Sequence, residues 1–399
     1  MQTNRTKWQI RKLGDVCNFI GGGTPSKSNK TYYQGNILWA TVRDMNCDVL
    51  SDTEFKITEE ALKNSTSNVI PKNSVIIASR VGLGKVCILE KDTAINQDLR
   101  AVIPKEAGML SEKYLFWWFK TIANLIIRNG RGATVKGVNL PFLNKLEIPI
   151  PSLAEQSRIV SVLDKADALR RKRKEAMKLL DEYVQAVFLE MFGDPVTNPR
   201  GWPRRELAEI SNAKGQNGFF AKKDQLSPNG TPIVWIGDII DQEYVNFSNL
   251  RRVISSEKEK AKYTLIYGDA LFCRSSLNTE GIGKCSIVPR LLPETTIFEC
   301  HIIRVPLNLE LVLPEFFRDF AKTAYYRHQI MKNANTATMT TIAQDGVMKT
   351  EVLVPPMDMQ MKYVQACASV GQLKSSMKQQ VRELDNQFNA LIQKSFAVT

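Results

Sequence analysis

Through residues 153–192, a stretch without Gly or Pro, apolar side chains recur at alternating spacings of three and four. One register runs through Leu163, Ala166, Arg170, Arg173, Met177, Leu180, Val184, Val187 and Met191. Near the end of the chain a second runs through Cys367, Val370, Lys374, Met377, Val381, Leu384, Phe388, Leu391 and Ser395. A 3.5-residue period predicts a coiled-coil seam. About 40 residues at ~1.5 Å each make a rod of roughly 60 Å. Arg170, Arg173 and Lys374 interrupt the seam, and such polar residues lower stability while discouraging wrong registers. Two helices that each pack on their own domain would be the alternative.

Outside these stretches the pattern is mixed. Short β-branched and aromatic runs predict strands: "SVIIAS" and "AVIPK" in the first half, "DALFC" and "CHIIRVP" in the second. The segments "SEKYLFWWFKTIANLIIRNG" and "LVLPEFFRDFAKTAYYRHQIM" read as amphipathic helices. The run Gly21-Gly22-Gly23-Thr24-Pro25-Ser26-Lys27 reads as a mobile polar loop, with Lys214–Gly218 as its counterpart. Neither fits a phosphate-binding glycine template.

The two halves repeat one another. Lys145-Leu-Glu-Ile-Pro-Ile-Pro-Ser-Leu-Ala-Glu-Gln156 matches Lys349-Thr-Glu-Val-Leu-Val-Pro-Pro-Met-Asp-Met-Gln360, 204 residues later. Trp8, Trp39, Arg80 and Gly84-Lys85 recur in the same order as Trp202, Trp235, Arg274 and Gly283-Lys284. A period near 200 residues is too long for a solenoid and indicates domain duplication. If the two helices pack antiparallel, direct repeats in sequence become units related by a pseudo-twofold axis. B-DNA has matching local twofold axes, with half-sites about one turn, ~34 Å, apart. The expected fold is therefore α+β: two tandem, similar domains separated by two long α-helices forming an antiparallel coiled coil. Its boundaries are 1–152, 153–192, 193–356 and 357–399.

Charge adds a partner class. The formal net charge is +13. Residues 1–152 hold 21 Lys/Arg against 13 Asp/Glu, so most of the excess sits there. A basic globular unit suits a polyanion, although a merely basic surface has the same composition. The run Arg170-Arg171-Lys172-Arg173-Lys174 fits a partly paired helix face, spacer DNA or an acidic partner. Seven cysteines without C-x-x-C suit a reducing compartment. No apolar run approaches a membrane span, and the N-terminus lacks a signal-peptide pattern. A cytoplasmic protein without membrane contact is expected. With only His301 and His328, triads and zinc sites have little to draw on, and no metal site is expected.

The motifs resemble the specificity subunit of type I restriction–modification systems. Met191-Phe-Gly-Asp-Pro-Val-Thr-Asn-Pro-Arg-Gly-Trp-Pro203 resembles that family's connection into a second target-recognition domain. "IPIPSLAEQSRIV" is similar to the entry into its helix, and "GGGTPSK" followed by a Trp-bearing strand to the start of a recognition domain. The second copy departs from this pattern, with Met359 in place of Glu155 and no triple glycine. The resemblance implies a non-catalytic reader of a bipartite site in double-stranded DNA. One half-site falls to each recognition domain, and the helices set the spacer. It also implies two methyltransferase and two restriction (motor and nuclease) subunits around the reader. S-adenosylmethionine, ATP and Mg would then sit only on those partners. The sequence agrees in lacking D-P-P-Y, N-P-P-[YF], F-x-G-x-G and Walker motifs. A coiled-coil scaffold without sequence readout and a self-contained DNA-modifying enzyme remain as other classes.

Candidate DNA contacts are polar or basic residues of predicted loops. In the first domain they are Thr24, Lys27, Lys30, Arg43, Arg80, Lys85, Arg131, Thr134 and Lys136. In the second they are Gln216, Asn217, Lys222, Lys223, Arg274, Lys284, Asn335 and Thr338. Arg80 and Arg274 carry most weight because they occupy equivalent places in the repeat. A repeated Arg also fits a structural ion pair.

Overall fold

The computed structural model describes residues 8–132, 136–336 and 339–397, apart from the Lys223 side chain. The chain forms two compact units, 1–174 with 379–399 and 175–378.

The first unit holds a five-stranded sheet in the order Cys17–Gly21, Leu99–Pro104, Val75–Ala78, Val86–Leu89, Val49–Leu50. A four-stranded sheet runs Phe55–Ile57, Ile37–Ala40, Thr93–Ile95, Asn68–Ile70. The second unit repeats the scheme. Its four-stranded sheet is ordered Gln216–Asn217, Ile302–Pro306, Asp269–Cys273, Cys285–Ile287. A three-stranded sheet runs Arg251–Val253, Leu226–Val234, Ile297–Phe298. The parallel pair Trp39↔Ala94 has its counterpart in Val234↔Phe298. Strands Val75–Ala78 and Asp269–Cys273 are wholly buried, as near-continuous apolar runs require.

Each segment expected as one amphipathic helix is divided in two. Glu112–Thr121 is followed by Ala123–Arg128, and Pro314–Phe320 by Ala324–Lys332. The break falls beside a threonine in both copies. The Thr121 and Thr323 hydroxyls donate to the carbonyls of Trp118 and Phe320, at 2.6 and 2.7 Å. Hydroxyls that bond back to the chain in this way compete with helix continuation.

The glycine loops are packed. A Cβ on Gly22 would lie 1.9 Å from the Ile95 carbonyl oxygen, and one on Gly218 2.2 Å from that of Phe298. Glycine is needed at both because backbone crosses backbone there. The expected free polar loop is therefore a close chain crossing at Gly22.

Two 40-residue helices, Leu153–Phe192 and Met357–Phe396, contribute to both units. No residue of either predicted seam register is exposed. In the first unit, Leu163 shares a core with Phe388, Ile392 and Phe396, and Arg170 Nε lies 2.8 Å from Asp385. The Arg170 guanidinium also sits over the Phe388 ring, at 4.1 Å. In the second unit, Phe188 and Phe192 pack on Tyr363, and Lys374 Nζ lies 2.5 Å from Asp181. These pairings run antiparallel. Arg170 and Lys374 are 204 residues apart, as are Asp181 and Asp385. One interhelical ion pair is thus built twice, with the helices exchanging roles, and two of the three polar interruptions are accounted for.

The junction glutamines repeat as closely. Gln156 accepts from the Ser111 amide and donates to the Met109 and Pro151 carbonyls, at 2.9–3.0 Å. Gln360 accepts from Leu313 and donates to Leu311 and Pro355, at 2.8–3.0 Å. Both are completely buried. Leucine at position 360 would strand one amide and two carbonyls, each worth about 1–3 kcal/mol if left unsatisfied. Gln360→Leu is expected to lower stability by at least about 2 kcal/mol in urea unfolding. An unchanged midpoint would contradict this account.

Candidate nucleic-acid interface

In the first unit the segment after strand Val75–Ala78 is clasped by a second loop. Arg80 and Arg131 each bridge to Gly137, Val138 N–H donates to Ser79 O at 2.9 Å, and Val81 N–H to Lys136 O at 3.3 Å. Three candidates, Arg80, Arg131 and Lys136, are thereby brought together. Thr24 is linked to them through side chains. Its hydroxyl bonds to Gln97, Gln97 reaches Asp98 at 3.5 Å, and Asp98 faces Arg80 Nε at 3.8 Å. That distance and a half-exposed Arg80 make a loose pair. Exposed pairs of this kind contribute ~0–1 kcal/mol, so the guanidinium keeps donors for phosphate or base.

The remaining candidates of this unit separate. Lys85 Nζ donates to Val42 O and Asn46 Oδ1, at 3.2 and 2.8 Å, and so braces the 41–46 loop. On that loop Arg43 is 80% exposed, 3.9 Å from Glu54. Lys27 and Lys30 are exposed at and beside the turn Lys30–Tyr33 and do not join the Arg80 group. Thr134 lies outside the described residues.

The second unit builds the corresponding group from strands. Arg274 N–H donates to His301 O at 2.8 Å, and its guanidinium to Cys300 O at 3.2 Å. The small sheet Ser275–Ser276, Thr340–Ile342, Ala334–Thr336 sets Ser275 and Asn335 on either side of Thr341. Ser275, Thr341 and Asn335 thus line one face of this sheet, and the adjacent Arg274 falls on the alternate face, so the sheet does not bring Arg274 to Asn335. Lys284 pairs with Asp241, as Lys85 braces its own loop. Lys222 is exposed. Gln216 and Asn217 lie in a strand and not in a loop. Gln216 accepts from Arg304 at 2.8 Å and donates to Lys262 O at 3.3 Å. The Asn217 Oδ1 is buried without a hydrogen-bond partner. Thr338 and the Lys223 side chain lie outside what the structure describes.

Two features carried no signal in the motifs. Val81 holds φ +43° while 51% exposed, a strained conformation for a β-branched residue and typical of functional loops. Glu299, Cys300 and His301 bring carboxylate, thiol and imidazole donors within 4.8 Å of one another. That set suits a transition metal, but its surroundings do not. Ser275 Oγ already engages His301 Nδ1 at 2.7 Å, and the cationic Arg274 adjoins the carboxylate. Burial pushes the Glu299 carboxyl up, which the His301 amide and the charges of His301 and Arg274 only partly offset. The same turn in the first unit reads Asn96-Gln97-Asp98, with Asp98 facing Arg80. In both units the backbone of this turn meets the repeated arginine, whose N–H donates to Asp98 O in the first and to His301 O in the second.

Comparison with known proteins fits this doubled architecture. Residues 5–179 match the family described as the type I restriction modification DNA specificity domain. The specificity subunit of the type I restriction enzyme EcoKI, from Escherichia coli K12, is 23% identical over 98% of this chain and 88% of its own length. The chain is similar to type I restriction–modification specificity subunits along nearly its whole length. Among other relatives, the MjaIX specificity subunit of Methanocaldococcus jannaschii is 32% identical, over 53% of this chain and 55% of that protein. The EcoR124I/EcoR124II specificity subunit of E. coli is 34% identical, over 42% and 43%. The chain spans about half the length of these last two relatives. Its fold is similar to the crystal structure of a type I restriction–modification S subunit from M. genitalium. That likeness has a TM-score of 0.58 and 15% identity, and covers 100% of this chain and 98% of that one. Among the described residues, no helix is long and apolar enough to cross a membrane.

Proposed function

We propose that this protein is the non-catalytic, sequence-reading subunit of a type I restriction–modification complex. Each recognition domain reads one half of a bipartite site in duplex DNA, and the two long helices set the spacer. Two methyltransferase and two restriction subunits assemble around it in the cytoplasm and bring S-adenosylmethionine, ATP and Mg. What chiefly supports this reading is that one design is executed twice. The glutamine anchor, the interhelical ion pair and the arginine-centred loop group each occur once per repeat. Backbone crossings and helix anchors agree between copies, whereas loop side chains differ, Asn96-Gln97-Asp98 standing against Glu299-Cys300-His301. Two readers of different half-sites require that combination: a common frame and divergent contact residues.

Methylome sequencing of a host carrying the gene with its partner subunits tests the proposal. Deleting this gene is expected to abolish methylation at one motif of two short halves and a fixed unspecified spacer. Loss of no motif would sink the reading. Methylation of DNA by the isolated chain would instead favour a self-contained enzyme.

A further inference from the structure

Each recognition domain carries an acidic residue turned toward its own stretch of helix. In the first unit this is Asp48, whose carbonyl accepts from Ile88 N–H at 2.8 Å next to the parallel bridge Val49↔Ile88. In the second it is Glu243, whose carbonyl accepts from Ile287 N–H at 3.2 Å beside the parallel bridge Tyr244↔Ile287. The backbone frames are the same, so the acids are structural equivalents although one is Asp and the other Glu.

Their partners are equivalent too. Asp48 pairs with Lys120, at 2.6 Å and at the end of helix Glu112–Thr121, and with Arg171 of the first long helix. Asp167 holds Arg171 from behind at 2.6 Å. Glu243 pairs with Lys322, just past helix Pro314–Phe320, at 3.3 Å, and with Lys374 of the second long helix. Arg318 stands 3.6 Å away. Lys120-Thr121 and Lys322-Thr323 fall at the same point of the repeat. In the second unit Lys374 serves both the interhelical pair and the acid. In the first, the neighbours Arg170 and Arg171 divide these tasks.

We propose that Asp48 and Glu243 are positioning residues that latch each recognition domain to its helix pair and thereby narrow the range of half-site spacings the protein accepts. This rests on the reading of the chain as a bipartite DNA reader. Apolar packing holds each domain on the helices but is non-directional. A charged bridge at a second point resists rocking about that packed seam, and rocking would carry a reading loop along the DNA. The acids touch no DNA in this scheme and act through domain orientation.

The test uses the assembled methyltransferase complex and duplexes carrying the native motif with the spacer unchanged, shortened or lengthened by one base pair. Wild type should methylate the native spacer with strong preference. In Asp48→Asn with Glu243→Gln, that preference should fall about fivefold per contact, the worth of one partly exposed ion pair. Asp48→Glu should retain it. The ratio between spacers is the decisive quantity, because a merely structural loss would lower methylation at all spacers alike. A proportional loss at all three, or an unchanged ratio, overturns the latch. If wild type itself shows no motif preference, the bipartite reading fails before the latch is tested.

Discussion

Replacing residues 1–152 with the corresponding domain of a related specificity subunit is expected, on the proposed function, to change one half of the methylated motif. The other half and the spacer should stay as they were. The expectation follows from how the domain is held. The Gln156 side chain reaches it through backbone groups, the Ser111 amide and the Met109 and Pro151 carbonyls. A socket made of main-chain atoms does not depend on which side chains the incoming domain carries. Further support is partly apolar, with Trp117 against Phe388 and Tyr114 against Phe396, ring centroids 5.7 and 5.0 Å apart, and partly polar, with Trp117 and Lys113 on Asp164 at 2.8 and 3.1 Å and Asp48 on Arg171. Volume-conserving changes there are tolerated best. Methylome sequencing of the chimera gives the answer directly. A change in both half-motifs, from a complex that still methylates, would end the two-reader description.

The second large effect concerns stability. Arg318 and Asp319 form a bidentate pair at 2.9 and 2.7 Å, almost wholly buried, with Tyr363 OH donating to Asp319 at 3.0 Å and Lys322 also at 3.0 Å. Asp319→Ala leaves the guanidinium buried with Glu243, 3.6 Å away, as its remaining carboxylate among the described residues, beside the Tyr244 ring at 5.3 Å. Removing one partner of a buried pair costs about 3–5 kcal/mol. Urea unfolding of the full chain should show that loss, with hydrogen exchange accelerating first within 175–378. Replacing both partners, Arg318→Met with Asp319→Leu, should cost less than Asp319→Ala alone. Equal losses would mean that the stranded charge is not the cause.

Acid should act on the same cluster. Burial raises the Asp319 carboxyl, but Arg318 and Lys322 outweigh it and hold the group at about 2. Glu243 is likewise held at about 2, with burial overcome by Lys322, Arg318 and Lys374. Both folded values lie below the unfolded carboxylate range of ~4. Their contribution is therefore complete above pH ~4 and is lost as pH falls toward ~2.

The long helices and the duplication were legible because each rests on a periodic or repeated signal. The seam register could be read from 3-4 spacing, and even its polar interruptions carried meaning once Asp181 and Asp385 were seen 204 residues apart. The loop contacts were legible only as a pool of polar residues. Lys85 and Lys284 look free in sequence, yet both are spent on neighbouring loops, and Gln216 on Arg304. Nothing local distinguishes a lysine that braces a loop from one that meets solvent. Asp48 and Glu243 were missed for a related reason. They differ in residue type and their partners lie far along the chain, so only the fold reveals that they do one job.

The first compact unit is not contiguous in sequence, whereas the second is, and this bears on the order in which the protein can fold. The core of the first unit includes Phe388, Ile392 and Phe396. On the ribosome, its N-terminal 174 residues must wait for the last twenty or so before Tyr114, Trp117 and Leu163 are covered. Such delayed, long-range closure is slow and leaves apolar surface open to aggregation meanwhile. Removing residues 379–399 should therefore injure the unit built on residues 1–174, while the second unit, 175–378, folds without them.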